Sequence, residues 1–121
     1  MCTKRILIVE DESIIAFGFR SLVKMLGYDV AAIVPSGEEA VRMNDDLQPD
    51  LILMDIHLAG EIDGIEAARR IGETKPVPIV YLTASSDAAT IERAKATDHS
   101  GFIVKPVTIE DMRETITQAL A

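Results

Sequence analysis

The chain has 121 residues, a length that fits one domain built around one hydrophobic core. Hydrophobic residues make up 48 % and charged residues 26 %, which excludes a disordered chain, and no apolar run approaches the roughly 20 residues that cross a bilayer. A net charge of −8, from 12 basic and 20 acidic residues, leaves no basic face for nucleic acid.

The first residues, MCTKRILIVEDES, carry two positive charges before an apolar run of only four, Ile6 to Val9. Acidic residues follow at once, which is not a signal-peptide pattern, and a cytoplasmic location is expected. The single cysteine, Cys2, can form neither an internal disulfide nor a cysteine metal cage. RILIV (5–9) predicts the first strand. Ile15, Phe19, Leu22, Val23 and Leu26 recur at helical spacing and predict a helix over 12–26, stopped by Gly27. YDVAAIV (28–34) is a weaker second strand. SGEEA (36–40) reads as a capping box, Ser36 with Glu39, opening a helix with Ala40, Met43 and Leu47 inward and Pro49 beyond its end.

LILM (51–54) is the third strand, and Asp55 follows it directly. DGIEAARRI (63–71) repeats the capping device with Asp63 and Glu66, and turns Ile65, Ala68 and Ile71 inward. VPIVYLT (77–83) is the fourth strand; like the third it is almost continuously apolar, as a strand covered on both faces must be. Residues 87–97 form a poorer helix whose only large apolar residue is Ile91. GFIV (101–104) is the fifth strand, and 108–120 a last helix with Ile109, Met112, Ile116 and Leu120 on one face. No repeat, low-complexity segment or linker interrupts the pattern, so one domain over 1–121 is expected.

Strand and helix thus alternate five times. Right-handed crossovers onto parallel strands give a doubly wound α/β/α sandwich, whose ligands bind beyond the carboxyl ends of the strands. Those ends carry Glu10, Asp11 and Glu12 after the first strand and Asp55 after the third. The fourth ends in Thr83, with Ala84, Ser85 and Ser86 behind it, and the fifth is followed by Lys105 and Pro106. Two like charges ~4 Å apart cost about 4 kcal/mol at an effective dielectric near 20, so converging carboxylates invite a cation. Lys105 with a divalent ion would neutralise three of them, and all-oxygen ligation suits Mg²⁺ or Mn²⁺ rather than zinc. A carboxylate can also act as a nucleophile toward a phosphoryl group. Taken singly these residues have plainer readings: an Asp at a strand end is commonly a turn residue, and Glu12 reads as a first-turn acid favouring the helix dipole.

Together, VEDE (9–12), LMDI (53–56), DGIEA (63–67), LTA (82–84) and FIVKP (102–106) resemble the receiver domain of two-component response regulators, over essentially the whole chain. The resemblance implies a five-stranded parallel sheet in the order 2-1-3-4-5. It implies Asp55 as phosphoacceptor, Asp11 and Glu10 as metal-binding carboxylates, and the His57 backbone carbonyl as a further metal ligand. It implies Thr83 and Lys105 as the hydroxyl and the cation that meet the phosphoryl group, Phe102 as the switch aromatic, and a cis Lys105–Pro106 peptide. His57, Ala84 and Ser85 fall at the site entrance. The implied cofactor is Mg²⁺ or Mn²⁺. The implied partners are a sensor histidine kinase or phosphotransfer protein and an unnamed downstream protein. A homodimer through the fourth helix, fifth strand and fifth helix stays open.

Three departures stand out. Ala59 occupies the place where most receivers have proline, the loop before Asp63–Gly64 is one residue longer than the commonest form, and TDHSG (97–101) replaces the usual Gly-Ala pair. The loop is similar to that of receivers associated with sensory kinases. Two other classes use related features. A haloacid-dehalogenase-type phosphatase needs a second acid two residues after its nucleophile, and that position is His57. A flavin-binding module would want a Gly- and hydroxyl-rich loop after the first strand, and EDES there is acidic.

Overall fold

Strands Arg5–Val9 (β1), Leu51–Asp55 (β3) and Ile79–Thr83 (β4) are buried along nearly their whole length. Asp29–Val34 (β2) and Gly101–Val104 (β5) are only partly covered. Continuous burial is what an interior parallel strand requires. The order β2-β1-β3-β4-β5, parallel throughout, accordingly puts the two partly covered strands at the edges. This computed structural model describes residues 3–84, 88–97 and 99–121. Cys2 and Ser85 lie outside the described residues.

Helices Ser13–Met25 (α1), Gly37–Leu47 (α2), Gly64–Thr74 (α3), Ala88–Lys95 (α4) and Ile109–Ala119 (α5) follow the strands in turn. The pleat divides the core. Ile6 and Ile8, with Leu51, Leu53, Val80 and Leu82, pack with Phe19, Val23, Met112 and Ile116 of α1 and α5. Leu7, Val9, Ile52, Met54 and Tyr81 meet Ala40, Ala67, Ala68 and Ile71 of α2 and α3. Ser36 accepts from the Glu39 N–H at 3.2 Å and Asp63 from the Glu66 N–H at 2.8 Å, so both predicted capping residues do cap. Thr108 does the same for α5, accepting from the Asp111 N–H at 3.1 Å.

The structure moves several details. The fourth strand starts at Ile79 rather than at 77, and the third continues through Asp55. The buried side of α2 runs through Gly37, Ala40 and Asn44, whereas Met43 and Leu47 are half-buried. Asn44 is tolerated there because its Nδ2 donates to the Lys75 carbonyl at 3.0 Å, satisfying a group at the end of α3. Glu12 stands one residue before α1, where it makes no side-chain cap bond. The weakness of α4 is as predicted: only Thr90 and Ala94 are buried. Among the described residues no helix is long and apolar enough to cross a membrane.

The Asp-Gly pair before α3 has a packing cause. A Cβ on Gly64 would stand 2.0 Å from the Asp55 carbonyl oxygen and 3.0 Å from the Ile56 Cα, both backbone atoms that cannot swing away. Gly72, on the same helix, would put a Cβ into open space. Gly64→Ala is therefore expected to lower stability by about 2–3 kcal/mol, an overpacking cost. Gly72→Ala should raise it by about 0.5–1 kcal/mol through helix propensity. Urea unfolding midpoints of the two variants decide the matter, and a harmless Gly64→Ala would disprove the close approach.

Candidate functional site

Because all five strands run the same way, their carboxyl ends meet along one edge, and register brings the ends level. Val9 pairs with Met54, Asp55 with Leu82, and Thr83 with Val104. Glu10 follows β1 directly, Asp55 is the last residue of β3, Thr83 the last of β4, and Lys105 follows β5. The predicted residues that come from distant parts of the chain therefore converge without any special loop.

Glu10 and Asp55 are 3 % and 5 % exposed, while Asp11 is open to solvent. One carboxylate oxygen from each of the three lies within 4.8 Å of the others. Lys105 closes the group from β5: its Nζ donates to Glu10 Oε1 at 3.0 Å and to Asp55 Oδ2 at 3.2 Å. The same ammonium lies 5.7 Å from the centroid of the Phe19 ring, an apolar wall behind the ion pair. The backbone fixes the lysine as well, since its N–H donates to the Thr83 carbonyl at 2.7 Å; the Lys105–Pro106 peptide is cis, as expected.

Each acid is also oriented by a main-chain donor. The Glu12 N–H meets Glu10 Oε2 at 3.1 Å, the His57 N–H meets Asp55 Oδ1 at 3.2 Å, and the Ala59 N–H meets Asp11 Oδ2 at 3.1 Å. Burial, reinforced by the neighbouring Asp55 carboxyl, pushes Glu10 up to about 7, against the opposing pull of the Glu12 N–H and Lys105. Burial alone would lower Lys105, but Glu10 and Asp55 outweigh it and hold the ammonium above its ordinary value. Three acids against one lysine leave a formal excess of two negative charges. Hard, convergent oxygen donors with that excess fit a small divalent cation of the Mg²⁺ or Mn²⁺ kind.

Around this centre Thr83 is fully buried, and His57 and Ala84 are exposed at the rim. Phe102 is half-buried and meets the Tyr81 ring edge-on, with 6.4 Å between centroids. Tyr81 in turn shares a hydrogen bond of 2.6 Å with the Thr97 hydroxyl and packs beside His99. Sequence reasoning missed Glu38. Its Oε1 accepts from the Ile62 N–H at 3.0 Å, which ties the loop after β3 to the start of α2. Glu38 is a first-turn acid of α2, a place the helix dipole favours by itself, so no sequence signal marks its contact with the loop.

Known proteins are similar to this chain in sequence and in fold. The sequence matches the family described as response regulator receiver domain over residues 6–117. It is 35 % identical over 118 residues to the transcriptional regulatory protein PdtaR of Mycobacterium tuberculosis, covering 98 % of this chain and 57 % of that protein. It is 34 % identical over 104 residues to the chemotaxis protein CheY of Thermotoga maritima, covering 85 % of this chain and 86 % of that one. These relatives include proteins named as transcriptional regulators, so the matches do not single out receivers tied to sensory kinases. The structure superposes with a TM-score of 0.92 on the signal receiver domain of a modulated diguanylate cyclase from Desulfovibrio desulfuricans G20, at 39 % identity, covering 98 % of this chain and 94 % of that one. The chain spans little more than half the length of the mycobacterial relative, which extends beyond a receiver domain of this size. With the β2-β1-β3-β4-β5 sheet, the acidic cluster on its carboxyl edge and a family match from residue 6 to residue 117, this chain belongs to the response regulator receiver domains.

Proposed function

We propose that residues 1–121 form a single receiver domain that accepts a phosphoryl group on Asp55, from a histidine kinase, a phosphotransfer protein or a small phosphodonor, and so works as a signalling switch. The observation that carries this reading is the Lys105 ammonium bridging Glu10 and Asp55 beside Asp11 at the carboxyl edge. Asp55 is the candidate nucleophile because it ends a rigid, fully buried strand and its carboxylate is aimed by the His57 N–H and by Lys105. A carboxylate oxygen attacks phosphorus, the new P–O bond forms, and the donor's bond to phosphorus breaks with its electron pair leaving on the donor.

Bound Mg²⁺ or Mn²⁺, held by Asp11, Glu10, Asp55 and the His57 carbonyl, would supply positive charge against the phosphoryl oxygens. Lys105 can then move from a carboxylate to a phosphoryl oxygen without leaving the site, and the Thr83 hydroxyl, one strand over, can donate to another. His57 and Ala84 flank the entrance and govern how water reaches the acyl phosphate, a role the resemblance implies for Ser85 as well. The chain thereby catalyses its own phosphorylation and hydrolysis and transforms no metabolite. Movement of Thr83 makes room for Phe102 to turn inward, which changes the face built from β4, β5, α4 and α5 for a downstream protein or a second copy of the chain.

Incubation with acetyl phosphate and Mg²⁺ should add about 80 Da to the wild-type chain, read by intact-mass spectrometry, and nothing to Asp55→Asn. An equal adduct on both proteins would remove Asp55 from the role. Crowding of carboxylates predicts a second result. Without metal, at low salt and pH 8, Asp55→Asn should be about 1–2 kcal/mol more stable than wild type. Mg²⁺ should then raise the melting temperature of wild type well above its effect on the variant. Equal metal stabilisation of both would sink the proposed ligand set.

A further inference from the structure

The loop between β3 and α3 is mostly exposed: His57, Ala59, Gly60 and Glu61 are open to solvent. Ile56, Leu58 and Ile62 pack on the core at its two ends, but no apolar burial holds the stretch 59–61 between them, and it is this stretch that delivers the Ala59 N–H to Asp11 Oδ2 at 3.1 Å. Its position has to be set by other contacts, and three consecutive residues at the start of α2 provide them. Ser36 forms a parallel bridge with Ala59. The Ile62 side chain lies over Gly37, its Cγ1 2.8 Å from where a Cβ would stand. Glu38 reaches back over the loop, taking the Ile62 N–H at 3.0 Å on Oε1. Its Oε2 lies against Gly60, whose φ of +108° lets the chain turn beneath the carboxylate.

We propose that Glu38 is a positioning residue for metal binding. By clamping residues 60–62 it holds the Ala59 N–H on Asp11, and so sets the Asp11 carboxylate toward Glu10 and Asp55. The idea deepens the receiver reading and rests on it for the identity of the cation. Glu38 is 24 residues from its Ile62 partner, and the clamp touches Asp11 only through the loop. Ala59 matters here for what it is not. A proline at this position, the commoner residue in receivers, has no N–H to give, so this chain aims its carboxylate through a donor that the usual pattern lacks.

Reach and charge can be separated. Glu38→Gln loses the charge but keeps a carbonyl oxygen at the same reach. Glu38→Asp keeps the charge but withdraws it by one methylene, and Glu38→Ala removes both. Mg²⁺ titrations of the 121-residue chain, followed by backbone amide shifts, should show Glu38→Asp and Glu38→Ala needing about fivefold or more Mg²⁺ for half-saturation, with Glu38→Gln near wild type. That shift lies at or below the ~10–100-fold cost of removing a direct outer-shell partner. Without metal, amide exchange at Ala59 should speed up in Glu38→Asp and Glu38→Ala only.

At saturating Mg²⁺, phosphorylation by acetyl phosphate should return to the wild-type rate in all three variants. If Glu38→Asp behaves as wild type while Glu38→Gln weakens binding, Glu38 acts by charge at a distance and the clamp is wrong. Unchanged Ala59 exchange in both Glu38→Asp and Glu38→Ala overturns it too. Should wild type itself bind no Mg²⁺, the proposed metal-dependent function fails, and the metal-free exchange measurement still decides whether Glu38 positions the loop.

Discussion

Lys105 carries the charge balance on which the rest of the site depends. Glu10 and Asp55 are almost wholly removed from water and lie close enough to repel each other, an arrangement that folding alone disfavours. The ammonium from the far end of β5 answers both at once, at 3.0 and 3.2 Å, and is itself held above its ordinary pKa by them. One positive charge cannot answer three acids. Part of the excess is absorbed by Glu10, whose pKa is pushed up to about 7, and part by the exposure of Asp11. A site left under-neutralised in this way favours whatever brings further positive charge, and in the proposed function an arriving phosphoryl group would find a cation able to exchange partners. The β2-β1-β3-β4-β5 order matters because it lets one long lysine side chain reach from beyond the edge strand β5, past β4, to the ends of two interior strands.

What was legible in the sequence was whatever leaves a local trace. Continuous apolar runs marked β3 and β4 as interior strands, and parallel topology then made every strand end a candidate position. Asp55, Glu10, Asp11, Thr83 and Lys105 needed no more than that. Ser36 and Asp63 announced their caps three residues ahead. The contacts that escaped notice are hydrogen bonds between distant segments. Asn44 sits on the buried side of α2 for the sake of a carbonyl 31 residues away, and a polar residue there reads as a solvent position until its partner is known. Glu38 answers an amide 24 residues on, and the Ala59 amide answers a carboxylate 48 residues back, across four elements. None of these leaves a period or a motif.

The sheet does not grip all its helices equally firmly, and α4 is held least. On one side Phe19, Val23, Met112 and Ile116 seat α1 and α5 in the core. On the other, α4 contributes Ala94 to the core, and its described links elsewhere are polar. Arg93 reaches Asp63 at 3.0 Å, on a carboxylate whose other oxygen already caps α3. An exposed pair of this kind contributes only about 0–1 kcal/mol. Tyr81, buried under Phe102, is tied to Thr97 just beyond α4. Rearranging α4 therefore costs far less than rearranging α1 or α5, which gives the proposed output face a physical basis. Its ties lead to the capping residue of α3, next to the carboxyl edge, on one side and to the aromatic pair in the middle of β4 and β5 on the other.

The loop after β3 shows how a departure from a common pattern can carry its own compensation. A proline in place of Ala59 would stiffen the loop through its fixed φ and take a backbone donor away from Asp11. This chain has the donor and lacks the stiffness, and it adds a residue and a glycine at positive φ, both of which enlarge the loop's freedom. Freedom of that kind is incompatible with aiming a carboxylate unless some other element removes it. The opening turn of α2 is suited to do so, because Gly37 and Ala40 bury it and the Ser36 cap fixes its first turn. A carboxylate at its second position then has a rigid base from which to hold an amide of the loop. The aim of Asp11 thus comes to depend on a helix that supplies no atom to the acidic cluster.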